Sequence, residues 1–232
     1  MYFLSIESST KIFSLAVSRD DKVLRFRSLK SAKALEDSII PAIDHILLSA
    51  GVPFKKLDGF AVGLGPGSFT SLRVGLSTVK AFCMATGKPV VGICTLDTIA
   101  EGVRHLDCDE ICVIADARRN LLYSALYANN KGSLKRKGGY QLTDLSAVLD
   151  KVHGRTLFTG DGVGIYRKDI EAAYKQCAGE CCAFFAPEKF WFPQSRHLAK
   201  LAFERLARGK SGDAGKIVPI YLYADDCQVQ KP

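Results

Sequence analysis

The stretch "GLGPGSFTSLRVG", residues 63–75, decides the fold of this chain. Its glycines and Pro66 follow an apolar run, "LDGFAVGL" at 57–64, and precede apolar residues that recur every three or four positions. This order predicts a buried strand, a tight turn and a helix that begins beside Ser68, a residue type that commonly caps helices. Because the backbone N–H groups of a glycine-rich turn before a helix can bind phosphate, the stretch also raises the question of a nucleotide site.

The glycine loop departs from the catalytic phosphate-binding motifs. A P-loop requires a lysine that this stretch lacks, and a dinucleotide fingerprint requires a third glycine where Ser68 stands. Pro66 also removes one N–H donor from the turn. A structural turn, an interaction surface and a phosphate site therefore all remain open, and the sequence favours the turn.

The first hundred residues alternate between strand and helix patterns. Three strands joined by tight turns are predicted at the N-terminus, followed by two amphipathic helices with the buried strand between them. The helices are predicted over 33–50 and 69–86, and each ends at a glycine that a proline follows two residues later. A further strand, "PVVGIC", precedes a third helix for which Thr95 is the expected cap.

A similar order returns from about residue 110. The strand "EICVIADAR" is followed by two more strands, a short helix, the strand "RTLFTGDGV" and further helices, the last of them at "SRHLAKLAFERLARG". This repetition predicts an α/β protein with two similar lobes, residues 1–105 and 106–232.

Composition restricts the class of protein. The chain has a formal net charge of +8, and 47% of its residues are hydrophobic, which excludes an extended disordered chain. No apolar run reaches the ~18 residues of a membrane span, so we expect a cytoplasmic protein whose basic groups are solvated or close to nucleic acid. Eight cysteines form no CxxC pair, which favours buried free thiols over a zinc site built from Cys177, Cys181 and Cys182.

The segment "IESSTK", residues 6–11, is a second candidate for phosphate binding. An acid after a strand, followed by hydroxyl groups, suits phosphate and a hydrated metal ion, whereas the alternative is an ordinary polar hairpin tip. A remnant phosphate site would comprise Glu7, Ser8, Ser9, Thr10, Gly65 and Gly67. The chain contains no HxxxH or HExxH pair and no GxSxG elbow, so neither catalytic residues nor metal ligands are predicted.

Five segments resemble the TsaB family, formerly called YeaZ, whose members are partner subunits in bacterial threonylcarbamoyladenosine synthesis on tRNA. The segment "GPGSFTSLRVG" at 65–75 is similar to the family signature GPGSFTGLRIG. Four others follow in the family's order: "IESSTKIFSLAV", "ICTLDTIA", "IADARRNLLYSALY" and "IVPIYL". The resemblance spans nearly the whole chain.

The resemblance implies a two-lobed actin-like ATPase (ASKHA) fold, similar to sugar kinases and Hsp70, built from RNase H-like repeats. It implies a non-catalytic subunit that binds and supports a TsaD-type transferase, which forms N6-threonylcarbamoyladenosine at position 37 of tRNA. A TsaE-type ATPase would join them, tRNA would be bound through the complex, and the chain alone could be a homodimer. The HxxxH metal pair that TsaD carries after the glycine signature is absent here. No cofactor is required by this chain, and ATP or ADP would enter at the level of the complex.

The two N-terminal helices are the predicted partner interface. Its residues would be Leu35, Ile39, Ile43, Ser68, Phe69, Leu72, Leu76 and Val79. The alternative is that both apolar stripes face only the protein's own sheet. The chain departs from the family pattern at Glu7, Leu35 and Ser71, where relatives have aspartate, histidine and glycine. Rival functions are a small kinase or ATPase of the same fold and a glycoprotease-like peptidase.

Overall fold

The computed structural model describes residues 1–30, 35–175, 182–209 and 212–223. The chain divides into two compact units, each built on one five-stranded sheet. The first unit comprises Met1–Gly102 and Phe192–Pro219, and the second comprises Val103–Trp191 together with residues 220–223.

The first sheet confirms the predicted three-strand meander. Its strands are β1 (Tyr2–Glu7), β2 (Ile12–Arg19), β3 (Lys22–Lys30), β4 (Gly59–Gly63) and β5 (Val90–Ile93), in the order β3-β2-β1-β4-β5. The three N-terminal strands are antiparallel, whereas β4 runs parallel to both β1 and β5. The parallel pairs need crossover connections, and helices supply them.

Three helices follow these strands in the first half of the chain: α1 (Leu35–Ala50), α2 (Phe69–Thr86) and α3 (Thr95–Val103). Gly87 ends α2 in the left-handed conformation, with φ of 67°, as its sequence position predicts. Ser68 occupies the N-cap position of α2, but its hydroxyl meets the Ser71 hydroxyl at 3.1 Å and caps no helix N–H. Thr95 is the first residue of α3 instead of its cap.

The second sheet repeats the first. Its strands are β6 (Glu110–Arg118), β7 (Leu121–Asn130), β8 (Ser133–Thr143), β9 (Arg155–Thr159) and β10 (Cys182–Phe185), in the order β10-β9-β6-β7-β8. An antiparallel meander again continues into two parallel strands, with α4 (Leu145–Leu149) and α5 (Val163–Lys175) as the connecting helices. Sequence patterns had not indicated β10, which is the counterpart of β5.

The last helix, α6 (Ser195–Ala207), belongs to the first unit, although the predicted lobe boundary assigned residues 106–232 to the second. Leu198 and Ala202 of α6 form one buried cluster with Ala61, Val91 and Ile93 of β4 and β5. The neighbouring strand residues Phe60, Val62 and Val90 point to the other face and pack with α1 and α2. The first sheet is therefore covered by helices on both faces.

Cysteine placement is described for five residues. Cys83, Cys94, Cys108 and Cys112 are buried free thiols, and Cys182 is exposed. Cys177 and Cys181 of the alternative zinc cluster lie outside the described residues. Over the described ranges, no helix combines the length and the apolar character needed to cross a membrane.

Candidate functional site

The tip of the β1–β2 hairpin and the glycine loop before α2 form one closely packed site. Ser68 N donates to Ser9 O at 2.7 Å, and Ser8 Oγ donates to Ser71 O at 2.9 Å. A Cβ atom on Gly67 would overlap the backbone of Ser9. Glycine is therefore required at this position because two backbone segments approach closely.

Gly75 and Gly65 serve the same site in different ways. A Cβ atom on Gly75, in the second turn of α2, would overlap Ser8 Oγ. Gly65 has φ of +88° and its carbonyl accepts a hydrogen bond of 2.8 Å from Thr95 N, which ties the loop to the start of α3. The signature glycines thus hold the hairpin tip, α2 and α3 together.

Glu7 carries a buried carboxyl group in which only one of the two oxygen atoms accepts a hydrogen bond from a described residue. Its Oε1 accepts a hydrogen bond of 2.8 Å from Ser9 N, whereas Oε2 has no hydrogen-bond partner among the described residues. The carboxyl group packs directly on Gly63, where a Cβ atom would overlap it. Burial raises the pKa of Glu7, and the hydrogen bonds from Ser9 act in the opposite direction.

The predicted remnant phosphate residues are mostly enclosed. Glu7, Ser8 and Ser9 are each at most 1% exposed. Thr10 is half-buried, and its hydroxyl is engaged with the backbone of Ile12. The N–H groups of Ser9 and Ser68, which a phosphate would require, already bond to protein oxygens. Within the described ranges, no group of three or more His, Cys, Asp or Glu side chains is placed to hold a metal ion.

Most of the predicted interface residues belong to the core of the first unit. The buried side chains are Leu35, Ile39, Ile43, Leu72, Leu76 and Val79. They pack within the first unit, which is the alternative in which both apolar stripes face the protein's own sheet. Amphipathic spacing indicates that a helix face is buried but not what covers it. Ser68 and Phe69 are exposed, and Phe69 retains 52% of its accessible surface.

A shallow groove of about 490 Å³ lies between α1 and α2. Ile40, which is 46% exposed, and Phe69 provide its apolar surface. The guanidinium group of Arg73 lies over the Phe69 ring, 3.7 Å from its centre, and Glu36 adds an acidic group to the rim. Neither Ile40 nor Arg73 was among the interface residues that the sequence predicted.

Two acids of the second unit, Asp116 near the end of β6 and Asp161 just after β9, stabilise the loops beside them. Asp161 Oδ1 accepts a hydrogen bond of 3.0 Å from Asp116 N, and Asp116 Oδ1 accepts one of 2.8 Å from Arg118 N. Both carboxylates thus have a turn-stabilising role.

The repeated sheets, their connecting helices and the hairpin packed on a glycine loop define a two-unit α/β protein of the actin-like ATPase fold class. Residues 29–228 match the family model described as "TsaD: tRNA N6-adenosine threonylcarbamoyltransferase". The chain belongs to this family, and its curated relatives place it in the TsaB (YeaZ) group.

Two curated relatives cover most of the chain. The tRNA threonylcarbamoyladenosine biosynthesis protein TsaB of Bacillus subtilis is 28% identical over 174 residues, which is 74% of this chain and 76% of the relative. TsaB of Escherichia coli is 25% identical over 226 residues, which is 96% of this chain and 94% of the relative.

Solved structures support the fold. YeaZ from Pseudomonas aeruginosa has a TM-score of 0.78 at 22% identity, covering 95% of this chain and 99% of that one. A ROK hexokinase from Thermus thermophilus has a TM-score of 0.56 at 12% identity, covering 90% of this chain and all of the other. At these identities the likeness extends to the fold alone, and it confirms the predicted fold class.

Proposed function

We propose that this chain is a non-catalytic subunit that supports a TsaD-type transferase in forming N6-threonylcarbamoyladenosine at position 37 of tRNA. The observation that carries the proposal is the match to relatives named as threonylcarbamoyladenosine biosynthesis proteins, one of which extends over 96% of the chain. A TsaE-type ATPase and tRNA join through the complex, and the subunit itself requires no cofactor.

The enclosed hairpin site supports the non-catalytic role. Glu7 is the one acid of the predicted remnant site, and its carboxyl group is buried against Gly63 with Ser9 N as its donor. A carboxylate that holds a hydrated metal ion needs oxygen atoms accessible to water. The Ser9 and Ser68 N–H groups are likewise committed within the chain. In this proposal the ancestral phosphate loop serves to fix the angle of α2.

The rim of the α1–α2 groove is the proposed surface for the TsaD-type partner. Ile40 and Phe69 supply exposed apolar area, and Arg73 adds a positive charge held over an aromatic ring. Arginine and aromatic residues are the types most enriched at the centres of interfaces. In the absence of the transferase, the same apolar rim could pair with a second copy of the chain.

Reconstitution of the modification reaction tests the function. The TsaD-type and TsaE-type proteins of the same host, tRNA, threonylcarbamoyl-adenylate and ATP would be assayed with and without this chain. We expect formation of the modified adenosine to depend on the chain. Equal product without it would overturn the proposal, as would rapid ATP hydrolysis by the isolated chain that Glu7→Ala abolishes, since that result favours the kinase or ATPase alternative.

A matched pair of substitutions on α1 tests the surface. Ile40→Arg places a charge on the groove rim, whereas Leu48→Arg places the same charge on a side chain that is 84% exposed and does not line the groove. An unpaired charge desolvated in the complex weakens binding by about 2–5 kcal/mol, so Ile40→Arg should lose the partner in a pull-down. Both variants should keep the wild-type circular dichroism spectrum. Normal binding by folded Ile40→Arg would remove this groove from the interface.

A further inference from the structure

A second cavity, of about 520 Å³, lies in the first unit and is separate from the hairpin site. It is formed where the end of α6 and the segment 212–217 cross β5. Gly212 N donates to Val90 O at 2.8 Å, and Arg205 Nη1 donates to Gly92 O at 2.7 Å, so both walls are anchored to the same strand. The volume lies within the range of about 300–1,000 Å³ that is typical of small-molecule sites.

The floor of this cavity is apolar. Leu64, Val91 and Ile217 line it, and Val91 and Ile217 are at most 9% exposed. Gly92 lies beneath the side chains of Leu64 and Ile217, both of which a Cβ atom at this position would overlap. The missing side chain therefore lets the two apolar groups close over β5 and form a continuous floor.

Three cationic side chains from different parts of the chain line the same cavity. Arg205 is held in place by Gly92 O and by the Asp97 carboxylate, which lies 3.5 Å from Nη2. Arg208, the C-cap residue of α6, lies three residues beyond Arg205 and also lines the cavity. Lys216 comes from the crossing segment.

Two of these positive charges are not neutralised within the described part of the chain. Neither Arg208 nor Lys216 forms an ion pair with another described residue. Asp213 is the one acidic residue among those that line the cavity, and its Oδ1 accepts a hydrogen bond of 2.8 Å from Gly215 N. Its carboxylate is thus partly committed to the turn, and positive charge dominates the rim.

We infer that this cavity binds a phosphorylated small molecule whose remaining part is apolar or planar, such as a nucleoside phosphate. Arginine and lysine bind phosphate oxygens through charge-assisted hydrogen bonds, and the apolar floor offers buried contact to the rest of the ligand. Arg205 already uses two of its N–H groups, so it presents the remaining donors in a fixed orientation. The inference does not depend on the proposed function, because no residue of the groove or the hairpin site takes part.

Calorimetric titration with three probes tests this assignment. ADP combines a phosphate chain with a planar base, pyrophosphate has only the charge, and adenosine has only the base. We expect one ADP per chain, weaker binding of pyrophosphate and little binding of adenosine, with affinity for ADP falling as salt rises. In heteronuclear NMR spectra, ADP should shift the amide signals of Gly92 and Gly212.

Two double variants with the same change in net charge locate the site. Arg208→Gln with Lys216→Gln should lower ADP affinity by about tenfold or more, since each substitution removes a charge-assisted hydrogen bond to phosphate. Lys55→Gln with Lys56→Gln, on an exposed turn of the same unit, should leave the affinity within about twofold. Circular dichroism would establish that both double variants are folded.

Several outcomes would overturn the inference. One is the absence of binding by ADP and pyrophosphate at millimolar concentration. Another is an equal loss of affinity in both double variants, because it would indicate a nonspecific charge effect. Full ADP affinity in the Arg208 and Lys216 variant would place the ligand elsewhere. A short single-stranded RNA without terminal phosphate that bound more tightly than ADP would exclude a small-molecule site.

Discussion

Replacement of Gly67 by alanine is the sharpest test of how the glycine signature works. The new Cβ atom would overlap the carbonyl group of Ser9, which accepts the hydrogen bond of 2.7 Å from Ser68 N. Gly65 is among the residues with left-handed φ values, whereas Gly67 is not. Contact with a neighbouring backbone is therefore the physical reason, and a backbone cannot rotate away as a side chain can.

The expected loss of stability follows from two terms. Overpacking against an immobile backbone costs about 1–3 kcal/mol, and a strained or broken hydrogen bond costs about 0.5–1.5 kcal/mol. Alanine also stabilises a protein by about 0.4–1 kcal/mol through the unfolded chain. A matched control removes this last term: Gly139→Ala, where a Cβ atom meets nothing within 4 Å. We therefore expect Gly67→Ala to be about 2–4 kcal/mol less stable than Gly139→Ala.

Urea unfolding followed by far-ultraviolet circular dichroism measures this difference. Both variants should show the wild-type spectrum in buffer, and the slope of free energy against urea should be unchanged. If the two free energies of unfolding agree within about 0.5 kcal/mol, the scale of surface substitutions without structural consequence, the close-approach explanation is refuted. Gly67→Val should lose still more stability, because its branches add to the same overlap.

Three further predictions concern burial and charge. Since burial raises the pKa of Glu7, the stability that its carboxyl group contributes is full below the unfolded-state pKa and is lost as pH rises through the folded-state pKa. Glu7→Gln should therefore match wild type near pH 4 and unfold at a higher urea concentration than wild type near pH 8. Equal urea midpoints of the two proteins at both pH values would contradict this. Ile43→Ala should lower the free energy of unfolding by about 2–5 kcal/mol, whereas Leu48→Ala on the same helix should change it by less than about 0.5 kcal/mol. Similar losses in the two variants would mean that Ile43 is not in the core. The isolated chain should bind tRNA weakly and lose that binding between low and physiological salt, as filter binding would measure, and salt-resistant high affinity would indicate direct recognition that the charge alone does not explain.

The elements of the first unit could be predicted because each has a local cause. Short strand-like runs separated by turn residues mark the meander, a period of three to four marks α1 and α2, and Gly51 and Gly87 end those helices. The strand β10 has only four residues and alternates between half-buried and exposed positions, so its pattern is too short to be recognised. The internal repeat could have predicted β10, because β5 in the first sheet should have a counterpart in the second.

Sequence periodicity could not predict which element each apolar helix residue packs against. Val79 and Phe69 both lie on α2 and both are apolar, yet one is fully buried and the other is half exposed. Their difference depends on where α1 and the sheet lie, which is a property of the tertiary structure. For the same reason the sequence did not predict that α6 packs on the first sheet, because its apolar stripe would fit either sheet. The second cavity was missed because its cations come from residues 205–208 and 216 and meet a floor set by Leu64 and Gly92.

The position of α6 has a consequence for synthesis on the ribosome. The first sheet is complete after β5, but the helix that covers its second face begins only at Ser195, after the whole second unit has been made. At ribosomal rates of about 5–20 residues per second, that face stays uncovered for roughly 5–20 s. During this interval Ala61, Val91 and Ile93 present an apolar surface to solvent, so a nascent or truncated chain that ends near residue 105 should be a substrate for chaperones and should aggregate without them.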